Sequence, residues 1–273
     1  MDRGARLNGT PAKDDSQQGD TDMDRWLKTL SVLAVGLLWT SMAQAQTADD
    51  IVEKHLSAIG GRASLGKLTT QAATGTLVIS TQGVDLSGSV EVYRKSPNKA
   101  RTLIRIDLSS VGGGGEMVID QRCDGTSAFS SNSMQGDREI TGSQLQGMLN
   151  ASFPSPLLNY KAAGATIELL GKDKVGDRAV FVVQYTPKAG PASKNYFDAE
   201  TYLLLRNVAT IDMPELGGPV EQTSEFGDYR DAGGMTLPYR VTVINAAQTV
   251  SLSLAKVELN AAVDDAMFAR PVK

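Results

Sequence analysis

The stretch of sequence that decides the fold is Val84 to Arg94, VDLSGSVEVYR. Valine, leucine or glycine stands at every second position from Val84 to Val92, and polar residues or a tyrosine stand between them. Alternation with a period of two is typical of a β-strand with one face on a core and one face in water. The stretch therefore predicts a strand whose valine and leucine side chains share one face.

Similar strand-length runs, rich in Val, Ile, Leu, Thr and Tyr, fill most of the chain after Leu68. We predict strands near 72–80, 84–94, 101–109, 115–122, 126–131, 136–141, 165–172, 178–186, 194–199, 202–212, 219–230, 237–246 and 249–260. The connections are mostly short and contain turn residues such as Asp124-Gly125, which favours antiparallel hairpins over helical crossovers. The pattern excludes a doubly wound parallel sheet.

Two segments have a helical period instead. The first begins after Thr47, the expected N-cap, and has the acidic residue Asp50 at position N3. It ends at Gly60-Gly61. The second spans Ser143 to Phe153 and is stopped by prolines. Their apolar residues are Ile51, Val52, Leu56 and Ile59 in the first helix, and Leu145, Met148, Leu149 and Phe153 in the second.

These elements define a β-rich α+β protein with two or three helices and about eleven strands in one sheet. A sheet with one apolar face must cover that face, and few helices are available to do so. We therefore expect the sheet to curl on itself or to leave a cavity partly open.

The N-terminal part of the chain predicts export. Basic residues after Met23 precede an apolar run from Leu30 to Trp39, and Ala43-Gln44-Ala45 supplies a small-x-small cleavage site. This is the pattern of a secretory signal peptide, and the run is shorter than the roughly 20 apolar residues that cross a bilayer. We predict a disordered extension at 1–22 upstream of the expected start, a signal peptide at 23–45 cleaved after Ala45, and a domain at 46–273 with no stable membrane anchor.

Composition excludes several functions. The 273 residues include 27 Lys+Arg and 31 Asp+Glu, so the chain has a net negative charge. A protein that binds the phosphate backbone of nucleic acid needs a basic face instead. The single cysteine, Cys123, cannot close an intramolecular disulfide, and the single histidine, His55, argues against a zinc site or a Ser-His-Asp triad. We expect no catalytic residue, no metal, no cofactor and no nucleic acid, and we expect His55 to be an ordinary helix residue.

Several segments occur in an order that resembles the LolA-like superfamily of secreted bacterial proteins, often called outer-membrane lipoprotein-sorting proteins. They are His55 to Gly61 (HLSAIGG), Tyr93 to Arg101 (YRKSPNKAR), Cys123 to Phe129 (CDGTSAF), Tyr196 to Asp198 (YFD), Asp228 to Arg230 (DYR), Gly234 to Pro238 (GMTLP) and Phe268 to Pro271 (FARP). The resemblance implies an unclosed β-barrel of about eleven antiparallel strands, with helices over an apolar concave face. In that family the cavity accepts lipoprotein acyl chains or other lipids during transit through the periplasm.

We therefore expect a periplasmic carrier that binds lipid or an acylated lipoprotein and exchanges it with inner-membrane donor and outer-membrane acceptor proteins. The candidate cavity residues are Leu77, Ile79, Val90, Val92, Ile104, Ile106, Met117, Ile119, Phe181 and Val183. The candidate lid residues are Ile51, Val52, Leu56, Ile59, Leu145, Met148 and Leu149. The alternative is a non-catalytic envelope interaction module whose cavity is filled by its own helices; an enzyme is least favoured.

Overall fold

A computed structural model describes residues 46–213 and 217–270. The expected extension at 1–22 and the expected signal peptide at 23–45 lie outside the described residues. No helix within the two described ranges is both long enough and apolar enough to cross a membrane.

Thirteen strands in the described ranges form one antiparallel sheet, two more than the eleven expected. Their bounds are β1 Thr70–Thr81, β2 Val84–Lys95, β3 Lys99–Asp107, β4 Glu116–Cys123, β5 Ala128–Asn132, β6 Gly136–Ile140, β7 Thr166–Val175, β8 Arg178–Thr186, β9 Ser193–Asp198, β10 Leu204–Met213, β11 Gly218–Ala232, β12 Met235–Ile244 and β13 Thr249–Leu259. The order across the sheet is β6-β5-β4-β3-β2-β1-β13-β12-β11-β10-β9-β8-β7. Each predicted run overlaps one of these strands, and the end strands β6 and β7 are not paired with each other in the part of the chain described, so the sheet is unclosed.

The helices are α1 Ala48–Ala58, α2 Arg62–Leu65 and α3 Gly142–Asn150, with 3₁₀ turns at Ser109–Val111 and Asp265–Met267. The predicted start of α1 is confirmed, because the Thr47 hydroxyl accepts from the Asp50 amide and the Asp50 carboxylate accepts from the Thr47 amide.

The predicted end of α3 at Phe153 is wrong. The helix ends at Asn150, and Ala151 already has non-helical backbone angles of φ −75° and ψ 58°. Phe153 precedes Pro154, whose ring disfavours a helical conformation of the preceding residue, so the helix has to end earlier.

The strand register assigns side chains to faces, because residues directly opposite each other in antiparallel strands point to the same side. One row of opposite residues crosses eight strands from β8 to β2. It consists of Val183, Asn195, Asn207, Ser224, Val243, Val250, Ile79 and Leu86. The face that carries this row is therefore continuous across the sheet.

Helix α3 shows that this face is concave. Its apolar side chains pack on Cys123, Ala128 and Ile140 in β4 to β6, while the Gln144 side-chain amide donates to the Asp212 carbonyl of β10 at 2.7 Å. Eight strand steps separate β5 from β10, or about 38 Å in a flat sheet. A nine-residue helix is only about 13 Å long. The sheet must therefore curve strongly around α3, as the sequence predicts.

Two glycines on the concave face permit the strands to approach closely in the middle of the curve. A Cβ atom at Gly88 would lie 2.2 Å from the Arg105 carbonyl oxygen, and one at Gly75 would lie 2.2 Å from the Ser253 carbonyl oxygen. No side chain fits at such distances, so glycine is required at both positions.

Two apolar clusters lie on the concave face under the helices. In the α1 cluster, Ile51, Val52, Leu56 and Ile59 pack with Leu65, Leu68, Phe153, Leu158, Phe181, Val183 and Phe197. In the α3 cluster, Leu145, Met148 and Leu149 pack against Ala100, Cys123, Ala128 and Ile140. The α1 cluster reaches β12 and β13 through Met235 and Leu259, the α3 cluster lies on β3 to β6, and β1 and β2 lie between them.

Candidate functional site

The structure places all ten predicted cavity residues on the concave face. Ile119, Ile104 and Val90 are opposite one another in β4, β3 and β2, and the other predicted residues of these strands stand two positions away. Leu77 and Ile79 of β1 continue the same face, and the long row through Val183 connects it to β8. That these side chains contact a ligand stays a prediction.

Burial divides these residues into two groups. Phe181 and Val183 belong to the α1 cluster and are closed in beneath α1. The other eight form what we call the aliphatic face: Leu77, Ile79, Val90, Val92, Ile104, Ile106, Met117 and Ile119. Leu77, Val90 and Ile106 are buried, and the remaining five are half-buried. Part of the aliphatic face is therefore accessible, in contrast to the core beneath α1.

The predicted lid residues of α1 and α3 also differ in burial. Ile51, Val52 and Leu56 of α1 have no exposed surface, and Ile59 is 9% exposed. Leu145, Met148 and Leu149 of α3 are only partly buried. Both helices cover the concave face, but α1 packs far more completely than α3.

Arg94 is a charged residue of the concave face that was not among the predicted site residues. Arg94 continues the alternation of Val90 and Val92, so its position in β2 was the available signal. It lies in a row with Leu259, Gln71 and Ala100.

Leu259 packs on the α1 cluster and Ala100 on the α3 cluster, which places Arg94 between the two helices. Arg94 is an exposed residue of this face. Among the described residues it has no hydrogen-bond or ion-pair partner, so its donors are free. The face thus offers hydrogen-bond donors beside apolar surface.

Arg101 and Arg122 lie on the opposite, convex face of the sheet. Arg101 is opposite Tyr93 and Arg122 in the register, and both belong to the convex side. Arg101 and Arg122 pair with Asp120 at 2.8 and 2.7 Å. These ion pairs hold both guanidinium groups on the convex face, away from the concave site.

His55 is a structural residue of α1. Its Nδ1 lies 2.9 Å from the Tyr202 carbonyl oxygen, and since a carbonyl only accepts, Nδ1 carries the proton. The ring also packs on Phe197, with 4.8 Å between centroids. Burial disfavours the charged imidazolium and lowers the pKa of His55 from 6.5 to about 4. No group of His, Cys, Asp and Glu side chains in the described ranges has the arrangement of a metal site.

Asp198, the last residue of β9, fixes the turn that follows the strand. The buried Asp198 carboxylate accepts from the Glu200 amide, from the Thr201 amide and from the Thr201 hydroxyl, and it pairs with Arg178 at 2.8 Å. These bonds use the oxygens of the carboxylate to fix the chain between β9 and β10. The geometry is that of a structural Asx turn.

Two cavities differ in their suitability for an apolar ligand. A cleft of about 360 Å³ lies between the helix clusters, with Leu65, Leu68, Leu149 and Phe153 among its apolar walls and Lys188 at its polar side. A larger groove of about 690 Å³ lies on the convex face along Ala72, Thr74 and Tyr93, beside the Lys256–Glu258 ion pair. The concave cleft adjoins the two apolar clusters and opens on the side of the aliphatic face, so we take the concave side as the candidate site.

The curved, unclosed antiparallel sheet with helices on its concave face is an architecture that this structure shares with solved proteins. The fold is that of LolA superfamily proteins, as the sequence resemblance implies. A LolA superfamily protein from Nitrosomonas europaea is 14% identical, with a TM-score of 0.54 over 83% of this chain and 99% of that chain.

Two further solved structures share the fold. A DUF1329 family protein from Desulfovibrio piger is 14% identical, with a TM-score of 0.53 over 81% of this chain and 97% of that chain. An outer membrane lipoprotein-sorting protein domain from Vibrio parahaemolyticus is 11% identical, with a TM-score of 0.52 over 80% of this chain and 94% of that chain. No protein-family model and no curated protein matches the sequence. At these low sequence identities, the comparisons show that the folds are alike and nothing further.

Proposed function

We propose that the protein is a periplasmic carrier that binds lipid, or the acyl chains of lipoproteins, on its concave face and releases them without covalent chemistry. The observation that carries the proposal is the aliphatic face: eight aliphatic side chains on neighbouring strands, five of them only half-buried, on the concave side of an open sheet.

An acyl chain is costly to expose to water. Each methylene group that leaves water gains about 0.8 kcal/mol, so a carrier must offer continuous apolar surface of matching length. Valine, leucine, isoleucine and methionine side chains supply that surface. Arg94 supplies donors for ester or phosphate oxygens at the head of the same ligand.

The cellular route is part of the proposal. The signal-peptide pattern at 23–45 supports export to the periplasm, and the fold is shared with a lipoprotein-sorting domain. A carrier of this kind takes its cargo from an inner-membrane donor and delivers it to an outer-membrane acceptor.

The test is native mass spectrometry, with organic extraction, of the protein purified from periplasm without detergent. We expect a bound lipid or acylated peptide. Ile119→Asp, on the aliphatic face, should weaken binding of a fluorescent fatty acid more than tenfold, because a carboxylate beside hydrocarbon costs well over the roughly 1.4 kcal/mol that a tenfold change represents.

Val118→Asp is the matched control. Val118 neighbours Ile119 in β4, is also half-buried, and is opposite Arg105 on the convex face. It should leave binding within about twofold, since that face does not contact the chain in our proposal. Equal losses in the two variants, or a ligand-free protein that takes up no fatty acid, would refute the carrier.

A ligand-free result would favour the alternative, an envelope interaction module whose cavity is filled by its own helices. One observation supports that alternative in part: α1 already closes over Phe181 and Val183. The aliphatic face has no comparable helix in the described ranges, which is why we favour the carrier.

A further inference from the structure

A further cavity, of about 420 Å³, lies on the convex face of the sheet and is lined by residues of β7, β8, β10, β11 and β12. Ser224 and Val243 belong to the concave row, so their neighbours Glu225 and Thr242 point to the convex side, and Arg240 stands two positions from Thr242. The volume lies within the range of ligand pockets in proteins, about 300–1,000 Å³. A ligand in this cavity would be on the other side of the sheet from the aliphatic face.

Part of the lining of this cavity is apolar. Val175, Leu203 and Leu205 line it, and Leu205 belongs to a buried cluster with Val180 and Val182. Apolar surface that is open to a cavity gains free energy when a ligand's hydrocarbon removes it from water. The cavity can therefore hold an apolar group.

Tyr229 adds to the apolar lining. Its hydroxyl donates to the Leu204 carbonyl, and burial raises the pKa of the phenol, so the side chain is neutral at neutral pH. Because the hydroxyl is already bonded, the part of Tyr229 left for a ligand is its aromatic ring.

The charged groups of the cavity leave one guanidinium without a matching carboxylate. Three carboxylates in or beside it each pair with an arginine, at 2.8, 2.6 and 2.6 Å: Asp198 with Arg178, Glu225 with Arg206 and Asp228 with Arg230. Arg240 is the fourth arginine, and among the described residues it has no hydrogen bond and no ion pair. Asp228 lies near it, since Arg230 and, to a smaller extent, Arg240 lower the pKa of that carboxyl. The set keeps one net positive charge.

Gly227 makes room for the Arg240 guanidinium. A Cβ atom at position 227 would lie 2.9 Å from an Nη atom of Arg240, which is closer than such atoms approach. The absence of a side chain lets the guanidinium lie against β11 inside the cavity. Guanidinium groups bind carboxylate and phosphate through paired N–H donors, so Arg240 is placed to receive an oxyanion.

We propose that this cavity, which we call the convex arginine pocket, is a second binding site, for a compact apolar group that carries a carboxylate or a phosphate. Arg240 binds the oxyanion, and the apolar group lies on Leu203, Leu205 and the Tyr229 ring. The site goes beyond the proposed carrier function and does not depend on it, because the two sites are on opposite faces of the sheet.

Fluorine NMR of small ligands tests the site. The anionic probes are para-fluorophenylacetate and para-fluorophenyl phosphate, and para-fluorobenzyl alcohol is the neutral control. We expect at least one anion to bind, with broadening of its fluorine signal, and the alcohol to bind at least about tenfold more weakly, because it lacks the charge. A preference for one anion would identify the oxyanion. No binding of either anion at about 10 mM, or equal binding of the alcohol, would overturn the proposal.

Arg240→Gln tests the residue that binds the oxyanion. Arg240 is exposed, so the variant should fold, and it should bind the anion about tenfold more weakly. Arg105→Gln is the matched control, because Arg105 is also exposed and lies in the same convex row, four strands away in β3. It should leave binding within about twofold. Equal losses in the two variants would show that only net charge matters and would overturn the site.

Gly227→Ala tests the position of the guanidinium while keeping its charge. Gly227 does not have a left-handed backbone, so alanine fits the strand, and the new methyl group displaces the flexible end of Arg240. We expect binding of the anion to weaken about three- to tenfold, with the urea midpoint of unfolding little changed. Unchanged binding would contradict the role of Arg240.

Ile119→Asp on the aliphatic face separates this site from the carrier site. It should leave binding of the fluorinated anion within about twofold, even where it abolishes binding of a fatty acid. Loss of anion binding in Ile119→Asp, with no loss in Arg240→Gln, would place the anion on the concave face and overturn the convex site.

Discussion

Acidification should destabilise the protein through His55 in a defined pH window. The buried ring is neutral in the folded state, where its pKa is lowered to about 4, and its value in the unfolded chain is 6.5. Between these values the unfolded chain binds a proton that the folded chain does not. Stability from the neutral ring is therefore complete above pH 6.5 and is lost as the pH falls toward 4.

The magnitude follows from the two pKa values. One pKa unit corresponds to about 1.36 kcal/mol, so lowering the pH from about 7.5 to about 4.5 should reduce the free energy of unfolding by about 2.5 kcal/mol. Asp198, whose pKa is lowered by its turn bonds and Arg178, loses its stabilisation below this window.

Urea denaturation at a series of pH values measures the effect, with His55→Gln as the comparison because glutamine does not titrate. The wild-type chain should lose about 2.5 kcal/mol more than the variant over the same range. Parallel pH profiles for the two chains would refute the assignment of a neutral, buried His55 beneath the Tyr202 carbonyl.

Two predictions concern α1. Leu56→Ala, at a position with no exposed surface, should lower the free energy of unfolding by about 3 kcal/mol in urea denaturation, and a loss below about 1 kcal/mol would show that α1 is not part of the core. Thr47→Ala removes the cap that accepts from the Asp50 amide and should cost about 1 kcal/mol; Thr47→Ser should restore most of it, and a full loss with serine would contradict the capping role.

The strands and their faces were predictable because both depend on local alternation. A period of two assigns each side chain to a face without knowledge of the partner strand. The alternation of Val90 and Val92 in β2 and of Ile104 and Ile106 in β3 therefore places them on one face, and the register confirms it. The capping box of α1 is equally local, since Thr47 and Asp50 are three residues apart.

The strand number and the curvature depend on contacts that the local pattern does not contain. Thirteen strand-length runs are present in the sequence, but whether every run joins one sheet depends on the pairing of strands. The close approach of Gly88 to Arg105 and the bond from Gln144 to Asp212 join residues that are distant in sequence. Such contacts follow from the assembled sheet and cannot be obtained from one strand alone.

Arg94 illustrates the same limit within the candidate site. Its face follows from the alternation, but its place between the helix clusters requires the pairing of β1 with β13 and of β2 with β3. The exclusion of Phe153 from α3, in contrast, was accessible from the sequence, because the residue before a proline is disfavoured in a helix.

The most direct test of the carrier is photo-cross-linking with a fatty acid that bears a diazirine in its chain, followed by mass spectrometric mapping of the modified residues. Our account predicts adducts on the half-buried residues of the aliphatic face, Ile79, Val92, Ile104, Met117 and Ile119, with competition by unlabelled fatty acid. Adducts confined to the convex groove at Tyr93 and Lys256, or labelling that unlabelled fatty acid does not reduce, would contradict it.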